Sequence, residues 1–213
     1  NGDGLIRIMM QSAGAWYFNK DGSLNIVDNA PLKAALTAYG KIWQADIVKP
    51  VSGWTDFTGA FTSGDTVGTV DGAWMVGTIK SKPDQSGKWG VAPTPKLAGV
   101  DGATHYSNEG GSSWYVLSSG PGKDAAIDFL KTIWAGDKDF YQKILVGQGA
   151  VGTWLAARDG EAYKSSDEFF GGQPVWANFS DWLAKIPGVD YGTFTAEVDA
   201  AVVAQLPAIA KGG

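Results

Sequence analysis

The sequence contains no cysteine and only one histidine, His105. Without cysteine the chain can form no disulfide and can carry out no thiolate chemistry. Metal sites and acid–base centres usually draw on imidazole, so a single histidine argues against both kinds of site. Lys and Arg number 17 against 22 Asp and Glu, which disfavours nucleic-acid binding. No apolar run approaches the roughly 20 residues that a membrane-spanning helix needs.

Tryptophan, in contrast, is abundant, with 10 residues in a chain that is 44% hydrophobic. Such a chain can build a core, and some indoles belong there. An aromatic ring also covers the flat C–H face of a sugar, while carboxylates, amides and backbone groups bind its hydroxyls. Four indoles lie at junctions between a loop and a predicted element, close to Gly, Asn, Asp or Glu: Trp16, Trp54, Trp74 and Trp114. Three others lie inside amphipathic helices and are assigned to the core: Trp43, Trp134 and Trp182.

Hydrophobic periodicity predicts an α/β protein that is rich in helix and has a small mixed sheet. Asn29 precedes a helix with an apolar stripe at three- and four-residue spacing. Further helices are predicted at about 54–63, 124–134, 138–146, 153–158, 161–169, 174–186 and 194–210. Short strands are predicted at 23–27, from residue 66 up to a glycine turn before Trp74, at 88–91 and at the run 114–117. The run 5–10 suits either a strand or a helix.

The motifs that would indicate catalysis or a cofactor are weak. Residues 147–152 match G-x-G-x-x-G, but the preceding segment is amphipathic and helical, so the match indicates a helix C-cap and a turn. No cofactor and no metal are therefore predicted. Asp56, Asp71 and Glu109 offer carboxylates for glycoside hydrolysis, but their separations do not follow from the sequence. A carbohydrate-active enzyme that uses Asp71 and Glu109 stays open as an alternative.

The stretch 108–117 leads from a loop with Gly110 and Gly111 into an apolar, aromatic run. Two glycines let the backbone come close to a bound molecule, because no Cβ stands in the way. Glu109 adds a carboxylate on one side, and Trp114 adds an indole on the other. A glycine-rich turn before a core strand is the other interpretation of this stretch.

Several segments, taken in order, resemble a known family. Residues 61–74 are similar to its F-x-x-G-x-x-A-M-x-x-x-G-x-W segment, and residues 89–95 to its hinge strand with P-x-P. Residues 110–114 are similar to its small-residue ligand loop, and residues 124–136 to the helix that follows. The chain thereby resembles the sugar-binding proteins of bacterial ABC importers, the family-one extracellular solute-binding proteins related to maltodextrin-binding protein. The resemblance covers nearly the whole chain.

The resemblance implies half of a two-lobed clamshell, a helix-rich lobe of the periplasmic-binding-protein-like type II class. Residues 1–91 and 138–213 would form the C-terminal lobe. Residues 92–137 would complete the N-terminal lobe, most of which the chain lacks. We therefore expect an incomplete clamshell, which another chain would have to complete if the protein is not a fragment.

The resemblance also implies which residues contact ligand. Trp74 matches the tryptophan that stacks on sugar, and Glu109, Gly110 and Gly111 match the ligand loop. Gln11 and Trp16 lie where the family has an aromatic-bearing loop, and either Tyr191 or Phe194 occupies the place of a late stacking aromatic. Asp71 is expected to accept sugar hydroxyls, and Trp54 is a weaker candidate.

The predicted function is non-catalytic binding of a mono- or oligosaccharide as the receptor of an ABC importer. The partners would be the sugar and the membrane permease, with no nucleic acid. The protein would be extracellular or periplasmic, held at the membrane by a lipidated N-terminal segment outside this sequence. Besides the enzyme alternative, a fragment that binds nothing by itself stays open.

Overall fold

The computed structural model describes residues 2–213, in which helix is the dominant secondary structure. The α-helices are α1 (Gly2–Ser12), α2 (Ala30–Gln44), α3 (Gly53–Thr62), α4 (Met75–Lys80), α5 (Lys123–Trp134), α6 (Lys138–Gln148), α7 (Glu161–Lys164), α8 (Val175–Leu183) and α9 (Thr195–Ala210). Short 3₁₀ turns occur at Pro83–Gln85, Leu155–Ala157 and Glu168–Phe170. The helix-rich character that periodicity predicted is confirmed. The run 5–10, which suited strand or helix, is part of α1.

Helix ends follow the local chemistry of the sequence. Asn29 caps α2, because its side-chain oxygen accepts a hydrogen bond of 3.0 Å from the Leu32 N–H. Asp137 caps α6 in the same way, accepting from the Phe140 N–H at 2.9 Å. Gly149 ends α6 with a left-handed backbone, φ 65°. The prediction that residues 147–152 form a helix C-cap and a turn is therefore confirmed.

The small mixed sheet is not present in residues 2–213. The described residues contain isolated β-bridges only, Phe18 with Leu24 and Asp167 with Gln173. A segment becomes a strand only when a neighbour binds its N–H and C=O groups along its length. The predicted strand 23–27 makes only the bridge at Leu24, and the other predicted strands form no ladder within residues 2–213. As a consequence Trp114, which begins one of the predicted strands, is 64% exposed.

The chain divides into two compact units, and the first is built on three helices. It contains the described residues up to Asp71, with Pro93–Glu109 and Lys185–Gly213. α1, α2 and α9 pack on one another around a core to which Ile6, Met10 and Leu206 contribute. Trp43 packs against the same core, partly buried, as expected for an indole inside an amphipathic helix. This core holds α1 and the start of α9, which carry several of the predicted site residues.

The second unit contains Gly72–Ala92 and Gly110–Ala184. Its buried residues include Tyr141 and Leu145 of α6, Tyr163 of α7, and Val175 and Trp176 of α8. None of the residues of α5, all of which the structure describes, is buried. The predicted division at residues 91 and 137 into parts of two lobes stays a prediction.

No helix within residues 2–213 combines the length and the apolar character that crossing a bilayer would take.

Candidate functional site

The second unit presents Trp74 at the start of α4, with 36% of its surface exposed. Its ring lies against the backbone of Gly72, where a Cβ would come within 2.2 Å of a ring carbon. A Cβ on Gly110 would lie 3.7 Å from the same ring. The Trp74 ring therefore packs on glycine backbone and stays partly exposed, which suits stacking on an apolar ligand face.

Gly110 and Gly111 are exposed, with φ of 68° and 123°. Side chains other than glycine rarely adopt these angles, so the loop needs glycine at both positions. The predicted ligand loop and the predicted stacking tryptophan thus meet in one unit, at Gly110. Their contact with ligand stays a prediction.

Glu109 belongs to the first unit, and its carboxyl group packs against α1. A Cβ on Gly4 would lie 2.1 Å from Oε1 of Glu109, so only glycine at this point of α1 leaves room for the carboxyl group. Oε2 is closed to solvent and has no hydrogen-bond partner among the described residues. In this geometry Oε2 can bind a ligand only after the side chain moves.

The pKa of Glu109 is raised to about 7, chiefly by burial and then by the negative charge of Asp71, against which the Arg7 guanidinium acts to lower it. A carboxyl group with this pKa exchanges its proton near neutral pH. The charge of the half-buried Asp71 thus acts on Glu109. The two carboxyl groups of the enzyme alternative therefore interact within the first unit.

Charged residues that the sequence reasoning did not name surround this carboxyl group. Arg7 donates to Asp3 across one helical turn of α1 at 3.0 Å, and its Nε lies 3.7 Å from Asp199. Asp199 in turn accepts a hydrogen bond of 2.9 Å from the Tyr17 hydroxyl, whose pKa is raised by burial and by this bond. The Asp3–Arg7 spacing of four residues would have indicated this ion pair, had the segment been identified as helix.

Gln11 and Trp16 are buried in the first unit. The Trp16 indole is 3% exposed and its Nε1 donates to the Thr195 hydroxyl at 3.0 Å. Gln11 donates to the Pro187 carbonyl at 3.4 Å. Trp16 thereby binds the first residue of α9, and Gln11 binds the segment that precedes α9, while no ring face of Trp16 is open to a ligand. Their predicted ligand contact has no support in this geometry.

Tyr191 and Phe194, the two candidates for a late stacking aromatic, are both exposed just before α9. Tyr191 packs edge-on against Trp16, with ring centroids 4.8 Å apart, while its carbonyl accepts from the Thr195 hydroxyl. Trp54 is exposed on α3, and its ring centroid lies 5.6 Å from that of Phe57. Of the two late aromatics, Tyr191 is the one whose ring contacts the predicted site residue Trp16.

The site chemistry available in residues 2–213 is stacking and hydrogen bonding. No group of three or more His, Asp or Glu side chains in this range converges to hold a metal ion. The first unit offers exposed aromatics and the pair Asp71 and Glu109; the second offers Trp74 and an open glycine backbone. These are the groups that bind uncharged, hydroxyl-rich molecules.

Comparison with known proteins also points to a binding protein. A family model described as bacterial extracellular solute-binding protein matches residues 2–171. The chain is also 58% identical over 212 residues to a lactose-binding protein of Rhizobium radiobacter, a match that covers 100% of this chain and 50% of that protein. The chain therefore spans about half the length of this relative. Because the family model covers well over half of the chain, the protein belongs to the bacterial extracellular solute-binding proteins, as the order of its sequence motifs predicted.

Proposed function

We propose that this chain takes part in non-catalytic binding of a mono- or oligosaccharide as the solute receptor of an ABC importer. The observation that carries the proposal is Trp74, held on glycine with about a third of its surface open, in a chain 58% identical to a lactose-binding protein. Stacking of an indole on a sugar ring, with carboxyl and backbone groups at its hydroxyls, is the recognition that these residues support.

The sugar class that best fits is a disaccharide containing a galactose or glucose ring. Such rings present the apolar C–H face that an indole covers. The argument for size comes from the relative, which is named for a disaccharide. Lactose is accordingly the first probe.

We further propose that residues 92–137 pack on the part of the protein that corresponds to the other half of the relative. Trp114, Tyr115 and Leu117 form an apolar run that is exposed in residues 2–213, and α5 buries none of its residues. Apolar side chains in a predicted strand pattern gain most when a neighbouring chain segment covers them. The three-part division at residues 91 and 137 follows from this proposal. Delivery to a permease and an extracellular or periplasmic location with a lipid anchor are proposed on the ground of the family alone.

One observation favours a second function. A carboxyl group with a raised pKa beside an ionised one is the arrangement of a glycosidase acid and its partner, and Glu109 and Asp71 fit it. The buried, unpartnered Oε2 of Glu109 speaks against this, because a general acid must reach the glycosidic oxygen.

Titration with lactose and a panel of mono- and disaccharides, followed by tryptophan fluorescence and calorimetry, tests the proposal. Binding without turnover is expected. Trp74→Ala should cost more than about 1 kcal/mol of binding, or about fivefold in Kd, because it removes the stacking face. Leu155→Ala, which trims another exposed apolar side chain of the second unit, is the matched control and should leave Kd unchanged.

Product formation that disappears in Asp71→Asn and Glu109→Gln would overturn the proposal in favour of the enzyme. A flat response to every sugar would show that this chain does not bind by itself. An unchanged affinity in Trp74→Ala would remove that indole from the site.

A further inference from the structure

The glycine-rich stretch 147–152 packs against the backbone that carries Trp74. Gly149 is the residue in contact: a Cβ built on it would lie 2.8 Å from the carbonyl oxygen of Ala73 and 3.0 Å from the Cα of Trp74. Both atoms are backbone and cannot swing away as a flexible side chain does. The end of α6 and the turn that carries Trp74 are therefore packed backbone to backbone.

The end of α6 is a rigid support. Gly149 donates to the Leu145 carbonyl at 2.9 Å, and Leu145 is fully buried. Tyr141, one turn earlier in α6, is also buried, and its hydroxyl donates to the Trp134 carbonyl at 2.7 Å. Because the end of α6 is anchored by these contacts, a methyl group added at Gly149 should displace the Trp74 backbone and leave α6 in place.

The turn that carries Trp74 is held from its other side as well. The Met75 N–H donates to the Gly72 carbonyl and the Val76 N–H to the Ala73 carbonyl, each at 3.1 Å. Met75 and Val76 are themselves buried. The backbone at Trp74 is thus confined between a short buried helix and the cap of α6, while its ring lies over Gly72.

We propose that Gly149 is a positioning residue for Trp74: the close contact between the cap of α6 and the Ala73–Trp74 backbone sets the height and angle at which the indole is presented to a sugar. The proposal rests on Trp74 being the stacking residue. It also accounts for two glycines of the stretch, since a Cβ on Gly152 would meet the Tyr141 ring at 2.3 Å.

The chain contains a matched control for Gly149. Gly171 also ends a helical turn in the second unit with φ 65°, but a Cβ there would meet no described heavy atom within 4 Å. Alanine at either position imposes the same left-handed strain. Only alanine at position 149 adds a methyl group against the backbone of Trp74.

The first measurement needs no sugar. In the full chain labelled with 5-fluorotryptophan, the ¹⁹F resonance of Trp74 is identified by its loss in Trp74→Phe. We expect it to shift in Gly149→Ala and to stay in place in Gly171→Ala. Because Asn tolerates positive φ, Gly149→Asn and Gly171→Asn repeat the comparison with less backbone strain if the alanine variant does not fold. An unmoved Trp74 resonance in both position-149 variants would overturn the proposal.

The second measurement is a double-mutant cycle with lactose as the probe. Gly149→Ala should weaken binding at least about fivefold and Gly171→Ala less than about twofold. In a Trp74→Ala background, Gly149→Ala should weaken it by less than about twofold, since the ring it positions is gone. Equal losses in both backgrounds would show that Gly149 acts on general stability, which overturns the positioning role.

The two measurements separate this inference from the proposed function. A shifted Trp74 resonance in a chain that binds no sugar would contradict the sugar-binding proposal and leave the packing of Gly149 on Trp74 intact.

Discussion

Replacing Glu109 by glutamine is expected to remove a pH dependence from the free energy of unfolding. In the native protein the carboxyl group is packed against Gly4, with Oε2 closed to solvent and without a hydrogen-bond partner among the described residues. An ionised carboxylate in this place is costly, and Asp71 adds like-charge repulsion. Glutamine keeps the shape of the side chain and carries no charge.

The magnitude follows from the pKa, raised by burial from 4.5 to about 7. Because the native state holds this proton more tightly than the unfolded chain, the stability is fully present below pH 4.5 and falls as the pH rises to about 7. At about 1.4 kcal/mol for each pH unit, the loss would be roughly 3 kcal/mol. The side chain is partly exposed, so solvent screening reduces it to on the order of 2 kcal/mol.

Urea unfolding followed by circular dichroism tests this expectation at about pH 4 and about pH 8. Glu109→Gln should match the unaltered protein at the lower pH and be more stable by on the order of 2 kcal/mol at the higher. The contributions of all other titrating groups cancel in the difference between the free energies of unfolding of the two proteins. Glu161→Gln is the control, since that carboxylate is 95% exposed. A difference that does not change with pH, or a variant that is less stable at the higher pH, would refute the reasoning.

Further substitutions probe helix packing and helix capping. At about pH 4, Gly4→Ala should destabilise the protein by about 1–3 kcal/mol, because the methyl group would displace the Glu109 carboxyl group. This loss should shrink towards pH 8, since the displaced carboxylate no longer ionises in a buried place, and the pH dependence is thereby flattened. Gly77→Ala in α4, where a Cβ would meet no described atom within 4 Å, should instead be neutral or stabilise by up to about 1 kcal/mol, and calorimetric Tm values distinguish the two. Asp137→Ala should lower stability by about 1 kcal/mol through loss of the α6 cap, whereas Asp137→Asn, whose side-chain oxygen can accept the same hydrogen bond, should retain most of it; equal losses in the two variants would contradict the capping role.

The helices of this protein were predictable because their causes are local. Asn29 lies three residues before the N–H that it caps, and Gly149 directly follows the helix that it ends. The same holds for the helix C-cap at 147–152, whose prediction needed only the helical character of the preceding segment. The order of short motifs was enough to indicate the family.

The predicted strands failed for a physical reason that lies outside the segments themselves. The run 114–117 has the residues of a strand, yet a strand exists only with a partner for its backbone groups. No segment within residues 2–213 provides one. The sequence pattern of 114–117 therefore reflects a preference of these residues for strand. It does not determine which segment they pair with.

What the sequence determined by itself was the class of protein, the helices, and the residue types suited to a sugar: indoles beside glycine and carboxyl groups. What only the tertiary structure decided was where those side chains lie. In the tertiary structure the buried Trp16 donates to Thr195, the Glu109 carboxyl group packs against Gly4, and the backbone at Trp74 packs against Gly149. Each of these contacts joins residues about 70 or more positions apart, and only the packing of helices around a common core can bring such residues together.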